Sequence, residues 1–434
     1  MPRPLDNFTP DTNVLSRPRE PLLTLDLSVV TPLFGGGAVP REVDPERPVS
    51  AKSVRGHLRF WWRACRGAGH ATPEDLFVAE AKIWGSTDCP GAVEVVVSIQ
   101  EKGREIRFDQ WRDGLPRYAL FPFHPQRGDQ GQPSKPGVSC LKDVRFKLII
   151  TGPKPYQADV EAAVWAWVLF GGVGARTRRG CGTLFCPENP FGHGVMVQAR
   201  KHVLSGERTV LVPSLVGGKV LVSKEMGVGQ QETPEQAWSI AVRAMQEFRQ
   251  GLGFGRRKNG NRPTRSYWPE ADSIRDLTNS ARGRVLNNSH PPAEPARPFF
   301  PRADLGLPIV FHFKDEPYGE TLLPLQDKMA RMASPVILKA LPLSESSAVP
   351  MAVMLETPHV WDGGRAIGFK GGTPLNAQML DQSADPSAWS CPSRNGRVKP
   401  LGGKNIRDAF WDFTKGKWAT VPGRPWDGQE VTLP

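Results

Sequence analysis

An apolar run at 158–170 opens directly into Gly171-Gly172-Val173-Gly174-Ala175-Arg176-Thr177-Arg178-Arg179-Gly180-Cys181-Gly182-Thr183-Leu184. Few folds accommodate such a loop. A buried helix has to run into it, a strand has to leave it, and its glycines permit a backbone approach that a Cβ would block. Arginine forks onto phosphate oxygens two at a time. The stretch therefore reads as a loop built to grip a phosphate backbone, with Gly171, Gly172, Gly174, Arg176, Thr177, Arg178 and Arg179 as candidate contacts. The competing reading is a surface loop with solvated charges. A P-loop is excluded, because no Gly-Lys-Ser/Thr follows the spacer. A dinucleotide fingerprint needs a third Gly or Ala where Thr177 stands, and it leaves a strand to open a helix. This loop does the reverse.

The elements before the loop give it a setting. Leu23, Leu25, Leu27 and Val29 alternate with polar residues as in a half-buried strand. Residues 50–66 have helical spacing. Val54, Leu58, Trp61, Trp62 and Cys65 share one stripe, and Lys52, Arg55, Arg59, Arg63 and Arg66 share a neighbouring arc about 80° wide. Five like charges on one arc repel each other. The functional reading is a basic face for nucleic acid, with Lys52, Arg55, Arg59 and Arg63 widening the loop's surface. The alternative is a solvated face whose acids come from elsewhere in the fold. Two more strands are expected at 93–99 and 144–150, around a Pro/Gly-rich insertion at 103–140. Strand, helix, strand, strand, helix, strand is the ferredoxin-like pattern, also used by RNA-recognition domains. The sheet face of such a domain is poorly equipped here. No RNP1 match occurs, and Thr24, Asp26, Ser28, Glu94, Arg145 and Lys147 point outward where stacking aromatics would be needed.

The net charge of +12 points to a polyanionic partner. No run is long enough to span a bilayer, no basic amphipathic tail offers a membrane anchor, and no signal segment is present, so a cytoplasmic protein is expected. Six cysteines without a CxxC pair argue against zinc and read as small buried or half-buried residues of a reducing compartment.

A second unit begins near 190. Thr233-Pro234-Glu235-Gln236 is a capped helix start, and Gly251 stops the helix. Gly253-Phe254-Gly255-Arg256-Arg257-Lys258 then echoes the first loop, making Arg256, Arg257, Lys258 and Arg265 a second candidate patch. Tyr267 and Trp268 have two equal readings, a stacked base or core packing. Strand-like runs follow at 309–313, 336–341 and 349–355, after a Pro-rich stretch at 281–303. The expected fold is α+β, two tandem ferredoxin-like domains with long loop insertions. Residues 1–21 form a flexible arm, 22–190 and 191–357 the two domains, and 358–434 an irregular Gly/Pro/Trp-rich extension.

Four stretches carry a resemblance to a known family: Thr31-Pro32-Leu33-Phe34-Gly35-Gly36 with Val54 to Arg63; Gly172 to Gly182; Arg265-Ser266-Tyr267-Trp268-Pro269-Glu270; and Leu305-Gly306-Leu307-Pro308-Ile309 with Arg331-Met332-Ala333-Ser334-Pro335. Together they resemble the RAMP superfamily of CRISPR-associated proteins, and within it the first subunit of the Cmr (type III-B) effector complex. Arg59-Phe60-Trp61-Trp62-Arg63 is the most specific of them; the glycine loop alone marks only the superfamily. The resemblance implies two RAMP domains and a place at one end of an antiviral ribonucleoprotein, beside other RAMP subunits. There the chain would contact the crRNA 3′ region and help capture complementary target RNA, with no catalysis, metal or cofactor of its own. Some RAMP relatives cut crRNA precursors with a histidine base near the first helix, which makes His57 the candidate of the alternative reading. On helix phasing it lies well away from the basic arc. A pure assembly subunit is the third reading.

Overall fold

The computed structural model describes residues 20–111, 114–125, 134–187, 195–204, 212–222, 232–252, 254–259, 262–277, 298–312, 319–325, 331–362, 366–369, 374–375, 391–393, 396–398, 401–419 and 429–434. The expected arm, up to residue 19, and the Pro-rich stretch, from 281 to 297, lie outside them. The first unit runs β1 (Pro21–Val29), α1 (Ala51–Arg66), α2 (Pro73–Trp84), β2 (Glu94–Glu101), β3 (Arg145–Thr151), α3 (Gln157–Phe170) and β4 (Leu184–Phe185). Ser50 caps α1, its hydroxyl accepting from the Ser53 amide at 3.2 Å. The four strands make an antiparallel sheet in the order β2-β3-β1-β4.

The second unit runs β5 (Ser214–Val222), α4 (Pro234–Gln250), β6 (Arg256–Asn259), β7 (Arg262–Ser266), β8 (Val336–Pro342), β9 (Ala348–Glu356), α5 (Ile406–Ala419) and β10 (Gln429–Thr432). The expected capping box at Thr233 and Gln236 opens α4. β6 and β7 form a separate hairpin, and Ile309–His312, Gly319–Pro324 and Ile367–Phe369 make a small sheet of their own. The main sheet has the order β8-β9-β5-β10, again antiparallel. Counted along the chain, both sheets therefore place their strands second, third, first, fourth, with helical structure after the first strand and a helix before the last.

This symmetry corrects the reading of 358–434 as an irregular extension. α5 and β10 come from that stretch, and β10 pairs with β5 through Gln429 to Thr432. Short segments between Gly- and Pro-rich loops leave too few turns for a period to show. β5 escaped notice for a related reason, since Gly217-Gly218 interrupts its alternation.

The layers stack sheet, helix pair, sheet, helix pair. α1 and α3 cover the inner face of the first sheet and also meet one face of the second, through Val220, Ile337, Leu341, Met351 and Val353. The second sheet's other face, through Leu221, Val336, Leu338, Ala340 and Ala352, packs on α4 and α5. A sheet covered on both sides reads as continuous apolar sequence rather than alternation, which accounts for β8 and β9 being buried along nearly their whole length. α3 lies between two sheets and is buried on every face from Ala162 to Phe170.

Phe410 of α5 is fully buried, with its ring edge-on to Phe248 of α4 at 5.3 Å. Phe410→Ala should therefore cost about 3–5 kcal/mol in urea unfolding. A loss under about 1 kcal/mol, typical of a surface position, would place α5 outside the core.

Candidate nucleic-acid interface

The glycine loop is folded into the protein along most of its length. Val173 donates its amide to Gly182 O (2.9 Å), Gly182 to Pro32 O (3.0 Å) and Ala175 to Phe34 O (2.6 Å). The buried Thr31 hydroxyl donates to Gly180 O (2.7 Å) and accepts from the Thr183 amide (2.8 Å). Gly180 and Gly182 sit at φ +83° and +63°. A Cβ on Gly182 would fall inside the Val173 carbonyl, and one on Gly180 would overlap the Trp238 ring. Gly171 and Gly172 are buried; their carbonyls accept from Lys339 Nζ (2.7 Å) and Trp167 Nε1 (3.0 Å). The close approach that these glycines permit is thus to the protein's own backbone, and the expectation that Gly171 and Gly172 touch a phosphate does not fit their inward setting. Gly174 is half-buried, its amide-bearing strand held against Phe34.

The arginines behave in a related way. Residues 177–179 form a 3₁₀ turn against β8. Arg178 Nη1 donates to Ser334 O, and its guanidinium lies 5.2 Å from the centre of the Phe60 ring. Arg179 Nη1 donates to Val336 O at 2.8 Å, while Trp238 Nε1 donates back to Arg179 O. Burial pulls both guanidinium pKa values down to about 10, so both remain cations at neutral pH. Each still has N–H groups beyond the one that ties it to the second sheet. Arg176 is half-buried in the left-handed region, φ 60°, and its Nε is buried with no hydrogen-bond partner among the described residues. Burial lowers its pKa, and the exposed Arg331 is near enough to lower it further. Thr177 is half-buried, its carbonyl closing the turn onto the Gly180 amide at 3.0 Å.

The basic arc of α1 splits in two. Arg59 and Arg63 both pair with Glu80 of α2, Arg63 at 2.6 Å, and this carboxylate is almost fully buried. Arg66 lies 3.5 Å from Asp159 of α3 and donates to Ala158 O. For these three, the acids come from neighbouring helices. Lys52 and Arg55 are exposed, and no acidic partner is found for either among the described residues. They stand in the first turns of a helix whose first turn has no acid. Cations there oppose the helix dipole, so helix stability is not what keeps them. Phe60, further along α1, is half-exposed and lies under the Arg178 guanidinium of the loop. Phe60 and Arg331 are the members that sequence reasoning did not assign. Both lay inside family-like stretches, and only the fold shows that they border the loop.

The second patch is only partly visible. Arg256 is half-buried at the start of β6; the side chains of Arg257, Lys258 and Arg265 lie outside the described residues. Tyr267 and Trp268 resolve to core packing: both are buried, and Trp268 Nε1 donates to Arg249 O (3.1 Å). On the outer face of the first sheet Lys147 pairs with Asp26 (3.0 Å) and Arg145 with Glu345 (2.7 Å), so its charges answer each other.

His57 is half-buried and stacked on Trp167 with centroids 6.3 Å apart. Burial lowers its pKa, and no carboxylate bonds it among the described residues, so the ring lacks the orienting group that a general base uses. No group of three or more potential metal ligands occurs among the described residues, and no helix there is long and apolar enough to cross a membrane. Cys89 departs from the expected burial and is exposed. Cys65, Cys140 and Cys181 are buried, which pushes their thiols up to about 12.

A family model described as the RAMP superfamily matches residues 26–184. The chain is 32% identical over 177 residues to the CRISPR system Cmr subunit Cmr1-2 of Pyrococcus furiosus, a match covering 37% of this chain and 91% of that protein. It is 26% identical over 140 residues to Cmr1-1 of the same organism, covering 31% of this chain and 40% of that protein. Among solved structures, Cmr1 from Pyrococcus furiosus in its apo form overlays with a TM-score of 0.49 at 13% identity, covering 94% of this chain and 98% of that one. A type III-B Cmr-beta complex bound to cognate target RNA contributes a chain with a TM-score of 0.36 at 11% identity, covering 82% and 96%.

Lys339 gives the loop's anchor a pH signature. Its ammonium is fully buried, and burial lowers its pKa from 10.5 to about 7. Between those values the unfolded chain holds the extra proton, so this group makes folding more favourable as pH rises from about 7 to 10. In urea unfolding at pH 7 and pH 9.5, the wild type should gain stability relative to Lys339→Met at the higher pH. A difference that stays constant with pH would mean an ordinary ammonium.

Proposed function

The chain belongs to the RAMP superfamily as a Cmr1-type subunit of the type III-B CRISPR effector, and from that membership we propose that it binds RNA without cutting it. In this reading it sits at one end of the ribonucleoprotein, contacts the crRNA 3′ region, helps capture target RNA and abuts other RAMP subunits. The repeated strand order of the two sheets supports two tandem ferredoxin-like domains, the second reaching through β10 rather than ending at 357.

The observation that carries the proposal is the pair Lys52 and Arg55, exposed, without an acidic partner among the described residues, and set against the helix dipole in the first turns of α1. Together with Arg176, Arg331 and the N–H groups left on Arg178 and Arg179, they offer a strip of cations to a phosphate backbone, with Phe60 available for a base. Arg59 and Arg63 play a smaller part, because Glu80 answers their charge. The lack of an orienting carboxylate at His57 among the described residues weakens the nuclease alternative.

Titration of the full chain with single-stranded RNA at several salt concentrations tests the proposal. Lys52→Ala with Arg55→Ala should weaken binding to all sequences alike and flatten the log–log salt slope by about 1.4, two phosphate contacts at about 0.7 each. Arg59→Ala with Arg63→Ala should change the slope less. RNA recovered on a denaturing gel should be intact. An unaltered slope in a folded double variant would refute this surface, and cleavage abolished in His57→Ala would move the chain to the processing nucleases.

A further inference from the structure

The second unit holds one surface histidine by an unusual amount of buried structure. Asp304 is fully buried. Its Oδ1 accepts from Arg407 Nη2 (2.8 Å) and the Val360 amide (2.9 Å), and its Oδ2 lies 2.7 Å from Arg407 Nε and 2.8 Å from His359 Nδ1. Arg407 also donates to Thr357 O (2.7 Å) and Pro358 O (3.0 Å). The His359 amide donates to Asp362 Oδ2 (2.7 Å), and the Asp362 amide returns to His359 O (3.0 Å). The turn at 357–362 is therefore fixed at both ends.

Arg407 already neutralises Asp304, so the carboxylate has no need of a second cation. What the fourth contact achieves is to set the imidazole plane. That ring lies parallel to Trp361, with centroids 4.4 Å apart and 6° between planes. The His359 side chain is 31% exposed, and Trp361 is half-exposed. Nδ1 is occupied by Asp304, which leaves Nε2 as the ring nitrogen available to a ligand; nothing bonds it among the described residues.

We propose that His359, backed by Trp361, forms a stacking platform for an unpaired nucleobase of single-stranded RNA, which would lie on the imidazole face that Trp361 does not cover, with Nε2 at the rim of the platform. Flat aromatic faces take any base, because every base has a π-face, and RNA readers commonly splay out unstacked bases onto aromatic and histidine rings. Rings fixed in advance lose little entropy when a base arrives. The platform rests on the RNA-binding reading but lies outside the cationic strip, so the two fail separately.

The test uses the full chain and two RNA strands of equal length and charge, one of ordinary nucleotides and one with abasic residues through its centre. Wild type should bind the ordinary strand more tightly. Trp361→Ala should weaken that binding about tenfold, leave the abasic strand and the salt slope unchanged, and be rescued by Trp361→Phe. His359→Asn should weaken the ordinary strand selectively as well. Thermal melting of each variant checks the fold. RNA binding that is identical in Trp361→Ala and wild type would overturn the platform while leaving the cationic strip standing; a surface that docks a neighbouring subunit would give this result. Equal loss on both strands would also overturn it. No RNA binding by the wild type would remove both proposals.

Discussion

The structure depends on burying α3 between two sheets. From Ala162 to Phe170 every side chain of that helix is withdrawn from water, so its end cannot simply emerge into solvent. The last carbonyls of a helix lack intrahelical donors. Here a lysine from the second sheet caps Gly171, and the helix's own Trp167 caps Gly172. The loop then has to turn back within the interior, against the Pro32–Phe34 backbone and the Trp238 ring. Its glycines and two of its arginines are the means of that turn. Arg178 and Arg179 supply donors to Ser334 O and Val336 O at the entry to β8, and thereby join the two units.

The same packing sorts the charges of α1. The half of the helix that lies against α2 and α3 acquires Glu80 and Asp159 as partners. The half near Ser50 reaches beyond those helices and keeps its cations open to water. A basic face of five residues in the sequence becomes a basic end of two in the fold. The surface proposed for RNA is thus narrower than composition suggests, and draws on three separate stretches, 52–60, 176–179 and 331.

The sequence was informative where one residue type had one physical meaning. The all-apolar helix, the capping box at Thr233 and the alternation of β1 and β3 each appear in the structure as their patterns require. It was misleading where one composition served two ends. Glycine beside arginine marks close approach and phosphate affinity, yet the backbone approached was internal. The arc of α1 was visible, but Glu80 stands 17 and 21 residues away on another helix, and nothing local announces that pairing. Trp268 and Tyr267 left stacking and core packing equally open until burial decided. Phe60, His359 and Trp361 gain meaning only from neighbours brought in by the fold.

The placement of β10 has a consequence for synthesis. The first sheet has all its strands once residue 185 has been made, yet α1 and α3 then still present to water the surface that β8 and β9 will cover. The second sheet lacks its edge beside β5 until residues 429–432 exist. During translation the helix layer therefore stays uncovered until β8 and β9 are made, and β5 lacks both neighbours until β9 and one of them until β10, a state in which exposed surface and open strands invite association with other chains.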